Sequence, residues 1–248
     1  MTALIHPTHE RGVTTLTLDS PHNRNALSAP LVHELTDALK RTGKDDDVRA
    51  VVLTHTGTTF SAGADLREPP QPKALVALLR QIVKLRKPVV ARVTGHVRAG
   101  GLGLLGACDI AAASDTATFA FTEVRIGVAP ALISLPLLPR VDPRAIARYY
   151  LTGETFGPAE AARIGLLTTA GADHTDIDET LAPILDGLRR AAPRALAETK
   201  RLLTAKVLEA FDLDAGELAR LSARLFASAD AREGMTAFLE RRDPPWVL

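Results

Sequence analysis

The sequence predicts an α/β core followed by a helical tail. Three observations carry that expectation. Over the first half of the 248 residues, β-branched runs alternate with amphipathic helical segments. The stretch 89–109, VVARVTGHVRAGGLGLLGACD, passes from such a run into a glycine cluster and then an apolar segment. From Ile177 onward the apolar spacing is helical almost throughout. A chain of this length suits one large domain, or one domain with an appendage, and buries a sizeable core without staples.

The elements follow in order. The opening MTALIHPTHERG lacks the basic-then-apolar pattern of a signal and reads as a mobile terminus holding His6 and His9. Residues 12–18 alternate Val13, Leu16 and Leu18 with threonines, a short strand, and 19–25 is turn-rich. Ser28 is an N-cap with Pro30 in the first turn, opening a helix whose stripe is Leu31, Leu35, Ala38 and Leu39. Residues 49–54 form a second strand, apolar from Ala50 to Leu53 and so buried on both faces. In FSAGADLREPPQP, at 60–72, Gly63 and three prolines exclude regular structure. Residues 73–86 are helical by period, and Pro88 admits a third strand with Val89, Val90 and Val93.

Beyond the cluster Gly95, Gly100, Gly101, Gly103 and Gly106, short strands are expected at 110–113 and 118–121. GVAPALISLPLLP, at 127–139, reads as a buried connection punctuated by proline. Helices follow at 143–151 and at 158–164, the latter closed by Gly165, then at 177–190, 193–208, 214–229 and 232–241.

Composition narrows the function. Thirty basic residues against 29 acidic give a net charge of +1, which advertises neither a nucleic-acid nor a membrane surface. No apolar run approaches the ~20 residues that span a bilayer. The lone Cys108 excludes an intrachain disulfide, fits a reducing, cytoplasmic setting, and reads as a small buried hydrophobe. Seven histidines lie without metal-ligand spacing, so no metal is expected, and His55 and His96 read as structural or solvent-facing.

Three chemistries compete at the glycines. Gly101, Gly103 and Gly106 spell G-x-G-x-x-G, with Glu123 about 20 residues on, as a dinucleotide site requires. The context disfavours it, because Thr94 to Gly100 intervenes after the strand, and glycines for close helix packing are the better account. Nucleophilic hydrolysis lacks both a G-x-S-x-G elbow and a histidine beside Cys108. Enolate stabilisation fits best. Ala62, Gly63 and Ala64 on one loop, and Ala99, Gly100 and Gly101 on another, can each aim an N–H at a single thioester oxygen. Glu123 supplies a carboxylate for the proton.

FSAGADL at 60–66, GHVRAGGLGLLGACDI at 95–110 and TEVRIGVAP at 122–130 resemble the crotonase superfamily, the enoyl-CoA hydratase/isomerase family. NRNALS at 23–28 and EGMTAFLERRDPPW at 233–246 fit the same resemblance. It implies a crotonase-like spiral of strand–strand–helix units over 1–190 and a helical region at 191–248 that builds homotrimers or homohexamers. It also implies that Ala64 and Gly100 donate to the thioester oxygen with Glu123 as acid–base. Ala62, Ala64, Asp65, Leu66, Arg67, Gly100 and Gly101 would line the path of coenzyme A, with Ala26 of NRNAL beside them. Arg24 would lie near the CoA phosphates, an exposed turn arginine being an equally good account. Phe238 and the pair Arg241 and Arg242 are placed to reach a neighbour's CoA, although a solvated helix face explains the arginines better. No cofactor is implied beyond the coenzyme A of the substrate.

One departure matters. The family's two-carboxylate hydratases carry a glutamate just after the glycine block and a second about 20 residues later. The second aligns with Glu123 and the first with Gly103. Glu68 lies on the wrong loop to replace it, and Asp109 reads as a strand-end hydrogen bonder. A positioned proton-transfer group is worth about 10²–10⁴-fold in rate, or about 3–5 kcal/mol of barrier. Its loss favours what one carboxylate can run: a double-bond shift, or weak hydration. APALISLP after Glu123 also departs from the family and reshapes the acyl pocket. Two rival readings remain, a non-catalytic acyl-CoA binder and an NAD-binding oxidoreductase.

Overall fold

The structure is a computed structural model and describes residues 3–170 and 176–248. Its frame is a six-stranded sheet of β1 (Ile5–Glu10), β2 (Val13–Leu18), β3 (Ala50–His55), β5 (Val89–Val93), β7 (Ile110–Ala113) and β9 (Thr169–Ala170), in that spatial order. Only β1 and β2 pair antiparallel; the rest of the ladder is parallel. A second parallel sheet holds β4 (Thr59–Ser61), β6 (His96–Arg98) and β8 (Phe119–Ala120). After the β1–β2 hairpin, the pairs β3–β4, β5–β6 and β7–β8 each send one strand into the large sheet and the next into the small one. The crossovers are α1 (Ala29–Lys44), α2 (Pro72–Lys84) and α3 (Gly100–Ala107). This is the crotonase-like architecture.

The strong periodic signals form as expected. Ser28 caps α1, its hydroxyl accepting the Leu31 N–H at 3.3 Å, and Leu31, Leu35, Ala38 and Leu39 are buried. All six residues of β3 are buried, as a strand covered on both faces demands. Every residue of α3 is buried, so this helix, apolar all round, is the axis of the fold.

Six expectations need correction. The terminus holding His6 and His9 is strand β1, turned into β2 by Arg11 and Gly12, both at positive φ (47° and 78°). Five of its six residues are exposed, so only the ladder defines it; residues 1–2 lie outside the described residues. The loop at 60–72 begins inside β4, and the supposed connection at 94–100 contains β6. Three-residue strands carry no period of their own. The strand expected at 118–121 is only Phe119–Ala120. The proline-punctuated connection contains α4 (Ala131–Leu137), with Pro136 inside it. Finally, the two helices expected at 193–208 and 214–229 are one, α8 (Pro193–Phe226). Phe211 is buried in the supposed gap, and Arg80 pairs with Asp212 at 2.5 Å, so tertiary contacts carry the helix through.

Helices α5 (Pro143–Thr152), α6 (Pro158–Arg163), α7 (Asp176–Arg190) and α9 (Ala229–Glu240) complete the chain. No helix is long and apolar enough to cross a membrane among the described residues. Helix α8 lies against α2 and α4 and is pinned by a buried ion pair, Lys200 to Asp109 at 2.7 Å. The same ammonium donates to the carbonyls of Ile82 and Lys87, and Asp109 also accepts the Val89 N–H at 2.7 Å. Asp109 is the strand-end hydrogen bonder expected of it. Lys200→Ala strands a buried carboxylate and two carbonyls, so it should lower unfolding free energy by about 3–5 kcal/mol, read from the urea midpoint.

Candidate active site

Strands β4, β6 and β8 are parallel neighbours, so the loops leaving their carboxyl ends meet at one edge of the small sheet. Those loops carry Ala62 to Ala64, Ala99 with Gly100, and Phe121 to Glu123. The sequence candidates are therefore gathered by strand order, not by proximity in the chain.

Two peptides at this edge have fixed orientations. The Gly63 carbonyl accepts the Leu27 N–H at 2.7 Å, so the Ala64 N–H of the same trans peptide points to the opposite side. The Ala99 carbonyl accepts the Leu102 N–H at 2.8 Å, which turns the Gly100 N–H away from the body of α3. Ala99 adopts φ 44°, ψ −120°, a conformation that costs an L-residue about 1–3 kcal/mol. Neither the Ala64 nor the Gly100 amide has an acceptor among the described residues. The two turns touch. A Cβ on Gly63 would lie 2.8 Å from that of Ala99 and 3.3 Å from the Gly100 nitrogen; one on Gly100 would lie 3.4 Å from the Ala64 nitrogen.

The first turn is fastened by a residue that sequence reasoning left without a role. Asn25, fully buried at φ 52°, donates to the carbonyls of Thr56 and Thr59 at 3.0 and 2.7 Å and accepts the Ser20 N–H at 2.7 Å. Around it, Ala62 N–H donates to the Arg24 carbonyl and Asp65 N–H to that of Leu27, both at 3.0 Å. Its sequence signals are its place in a turn-rich stretch and within NRNALS.

Among the coenzyme A candidates, Ala62, Ala64 and Leu66 are half-buried on the loop after β4, and Ala26 is buried beneath it. Arg24 and Arg67 are exposed. Asp65 binds its own loop: one carboxylate oxygen accepts the N–H groups of Arg67 and Glu68, the other the Asn23 amide. Gly101 is set by packing, since a Cβ there would meet Ser61 at 2.8 Å.

Glu123 opens a short 3-10 turn and is 8 % exposed. Its Oε2 is buried without a hydrogen-bond partner, and this desolvation lifts the carboxyl to about 7. Tyr150 packs on Phe121 with ring centroids 4.6 Å apart, and its hydroxyl lies 3.3 Å from the Ser134 hydroxyl. Burial pushes the phenol well above its ordinary value, so it remains a neutral donor. Tyr150 and Ser134 come from segments where the sequence offered only helix period or proline punctuation.

The remaining glycines settle the fingerprint question. A Cβ on Gly103 would stand 2.6 Å from Ile133, and one on Gly106 would stand 2.5 Å from Leu137. With Gly101 against Ser61, all three glycines seat neighbouring elements against α3 and leave no cradle for a pyrophosphate. Cys108 is buried and burial lifts its thiol to about 12, so it is no nucleophile. His55 accepts from the Thr94 N–H at 3.1 Å, and His96 lies exposed at 2.9 Å from the Thr118 hydroxyl.

Two outcomes follow from this geometry. Gly103→Ala forces Ile133 and α4 apart and should destabilise by about 1–3 kcal/mol in urea melts. Glu123→Gln removes a carboxylate whose ionisation burial opposes. Below pH 4.5 the acid is neutral folded or unfolded, and the variant gains nothing. Between pH 4.5 and 7 only the unfolded state ionises freely, and above 7 the full penalty stands. The variant should therefore be more stable than the parent by up to about 3 kcal/mol at pH 8 and equal to it at pH 4, in paired denaturation curves.

Residues 8–247 match the family model for enoyl-CoA hydratase/isomerase. A solved enoyl-CoA hydratase from Mycobacterium avium is 51% identical with a TM-score of 0.92, covering 100% of both chains. A Thermus thermophilus protein bearing the enoyl-CoA hydratase name is 35% identical over 250 residues, 95% of this chain and 98% of its own. A carnitinyl-CoA dehydratase of Proteus mirabilis is 29% identical over 260 residues, 99% of each chain. With its two-sheet spiral wound about a buried glycine helix, this chain belongs to the enoyl-CoA hydratase/isomerase family of the crotonase superfamily.

Proposed function

We propose that this protein acts on an enoyl-CoA through a thioester enolate, with one glutamate as acid–base and a double-bond shift as the reaction it favours. The Ala64 and Gly100 amides would hold the thioester oxygen, where negative charge grows as the α-carbon loses or gains a proton. The start of α3 adds the positive end of its dipole to the same oxygen. Coenzyme A would run along Ala62, Asp65, Leu66 and Gly101, with Arg24 and Arg67 as exposed cations for its phosphates.

Glu123 is the observation that carries the reading. A buried carboxyl with one oxygen unpartnered, near neutrality, both takes and returns a proton at working pH. It would lift a proton from one carbon of the enoyl group and deliver it to another. Ile133 closes over Gly103, where two-carboxylate hydratases hold their other acid, so a second group to order water is missing from that position. Hydration by Glu123 alone is the second reading, favoured by the relatives' names. The exposed Leu202, Leu203 and Leu213 of α8, with Phe238 and Leu239 of α9, support a homotrimer or homohexamer in solution.

Mass spectrometry on paired 2-enoyl- and 3-enoyl-CoA thioesters separates the readings. An unchanged mass with altered retention means isomerisation, an added water means hydration, and binding without turnover means a non-catalytic binder. Glu123→Gln should keep acyl-CoA affinity and lose about 10²–10⁴-fold in kcat; unchanged turnover would refute its role. Because the base must be ionised, kcat/KM of the parent should fall as pH drops below about 7.

A further inference from the structure

His55 is a buried imidazole to which the candidate active site assigns no part. It ends β3, and its ring sits where the segment 56–58, leading into β4, meets Thr94 and Gly95, leading into β6. Both ring nitrogens are engaged. Nε2 accepts the Thr94 N–H at 3.1 Å and lies 3.2 Å from the hydroxyl of the same residue, while Nδ1 lies 3.2 Å from the Thr56 carbonyl oxygen. An amide N–H only donates and a carbonyl oxygen only accepts, so Nε2 holds the lone pair and Nδ1 the proton. One neutral tautomer satisfies both. An imidazolium would set a second N–H against the Thr94 amide.

The corner around the ring is tight. Phe60 meets it edge-on with centroids 5.6 Å apart, and a Cβ on Gly95 would lie 2.9 Å from its Cε1 and 2.3 Å from the Thr58 carbonyl oxygen. The His96 N–H donates to that Thr58 carbonyl at 3.0 Å, tying the start of β6 to the start of β4. The Thr56 carbonyl also accepts from Asn25, the residue that fastens the first turn of the candidate site. The charged groups nearby offer a positive ring no support. Arg92 of β5 opposes it and is itself paired with Asp178 at 2.6 Å. Asp19, after β2, accepts the Thr56 hydroxyl at 2.6 Å and pairs with His6 at 3.0 Å, and His96 lies 2.9 Å from the Thr118 hydroxyl. Burial first, and then Arg92, hold the imidazole below its ordinary value of 6.5 against the pull of the Thr56 carbonyl.

From this geometry we infer that His55 is a pH-sensitive latch: neutral, it closes the corner from which β4 and β6 start, and protonated, it gives up the Thr94 bond and lets that corner open. The same two strands carry the Ala64 and Gly100 turns beyond their carboxyl ends. The inference does not depend on the reaction assigned above. Its sign follows from linkage. Above 6.5 the ring is neutral whether the corner is closed, open or unfolded, and the latch contributes in full. Below 6.5 the open and unfolded forms take up a proton that the closed form refuses, so the contribution fades as pH falls.

The test is deuterium exchange of the whole protein, read by mass spectrometry on peptides covering 93–98 and corrected for intrinsic exchange rates. In the parent, protection of this segment is expected to be constant from about pH 8 down to 6.5 and then to fall by up to about tenfold per pH unit. His55→Gln offers a carbonyl to the Thr94 amide and never charges, so its protection should stay level over the same range. Urea midpoints read the same linkage. The parent's lead over His55→Leu should be full at about pH 8 and shrink towards about pH 5, a difference in which Glu123 and other distant titrating groups cancel. If His55→Leu does not fold, the parent's midpoint should drop relative to that of His55→Gln across that range. Parent protection that stays level down to about pH 5, an equal loss of protection in His55→Gln, or a midpoint gap independent of pH would overturn the inference.

Discussion

A trans peptide shows its carbonyl and its N–H to opposite sides, and that rule governs this molecule's candidate site. The carbonyl of Gly63 is taken by Leu27 and that of Ala99 by Leu102, so two amides are left facing outward from turns in contact. Much of the surrounding structure exists to hold those carbonyls. Asn25 locks the segment that presents Leu27, and the unusual backbone of Ala99 begins α3 at the angle its carbonyl needs. Strain at one residue is tolerated because a buried helix and two strand ends all define its position.

The second constraint is closeness around α3. A helix buried on every side must receive its neighbours at short range, and its glycines provide that by lacking Cβ atoms. Ser61, Ile133 and Leu137 fill the spaces. At residue 103 the surface of α3 is covered by Ile133. Any side chain at residue 103 would have to displace Ile133 and with it α4.

Glu123 and the Lys200–Asp109 pair show how burial serves opposite ends. Lys200 finds three oxygens and Asp109 an ammonium and an amide, so these charges fasten α8 to the core. Glu123 is buried as deeply with one oxygen unmatched, a condition that destabilises its ionised form and raises its carboxyl to about 7. The fold thus satisfies buried charge at Asp109 and leaves one oxygen of Glu123 without a partner.

By itself the sequence determined what local chemistry and periodicity can decide. The cap at Ser28, the doubly buried β3, the all-apolar α3, and the motifs FSAGADL and GHVRAGGLG with Glu123 beyond them were legible, and with them the family. Tertiary structure alone decided whatever depends on a distant partner. β1 exists through its ladder to β2, β4 and β6 through each other, and α8 through Phe211 and Asp212, none of which leaves a periodic trace. It alone assigned Gly103 to Ile133, Asn25 to the turn, and Tyr150 to the side of Phe121. Period and propensity act over a few neighbouring residues, whereas the strand ends that gather these groups are brought together by pairing across the chain.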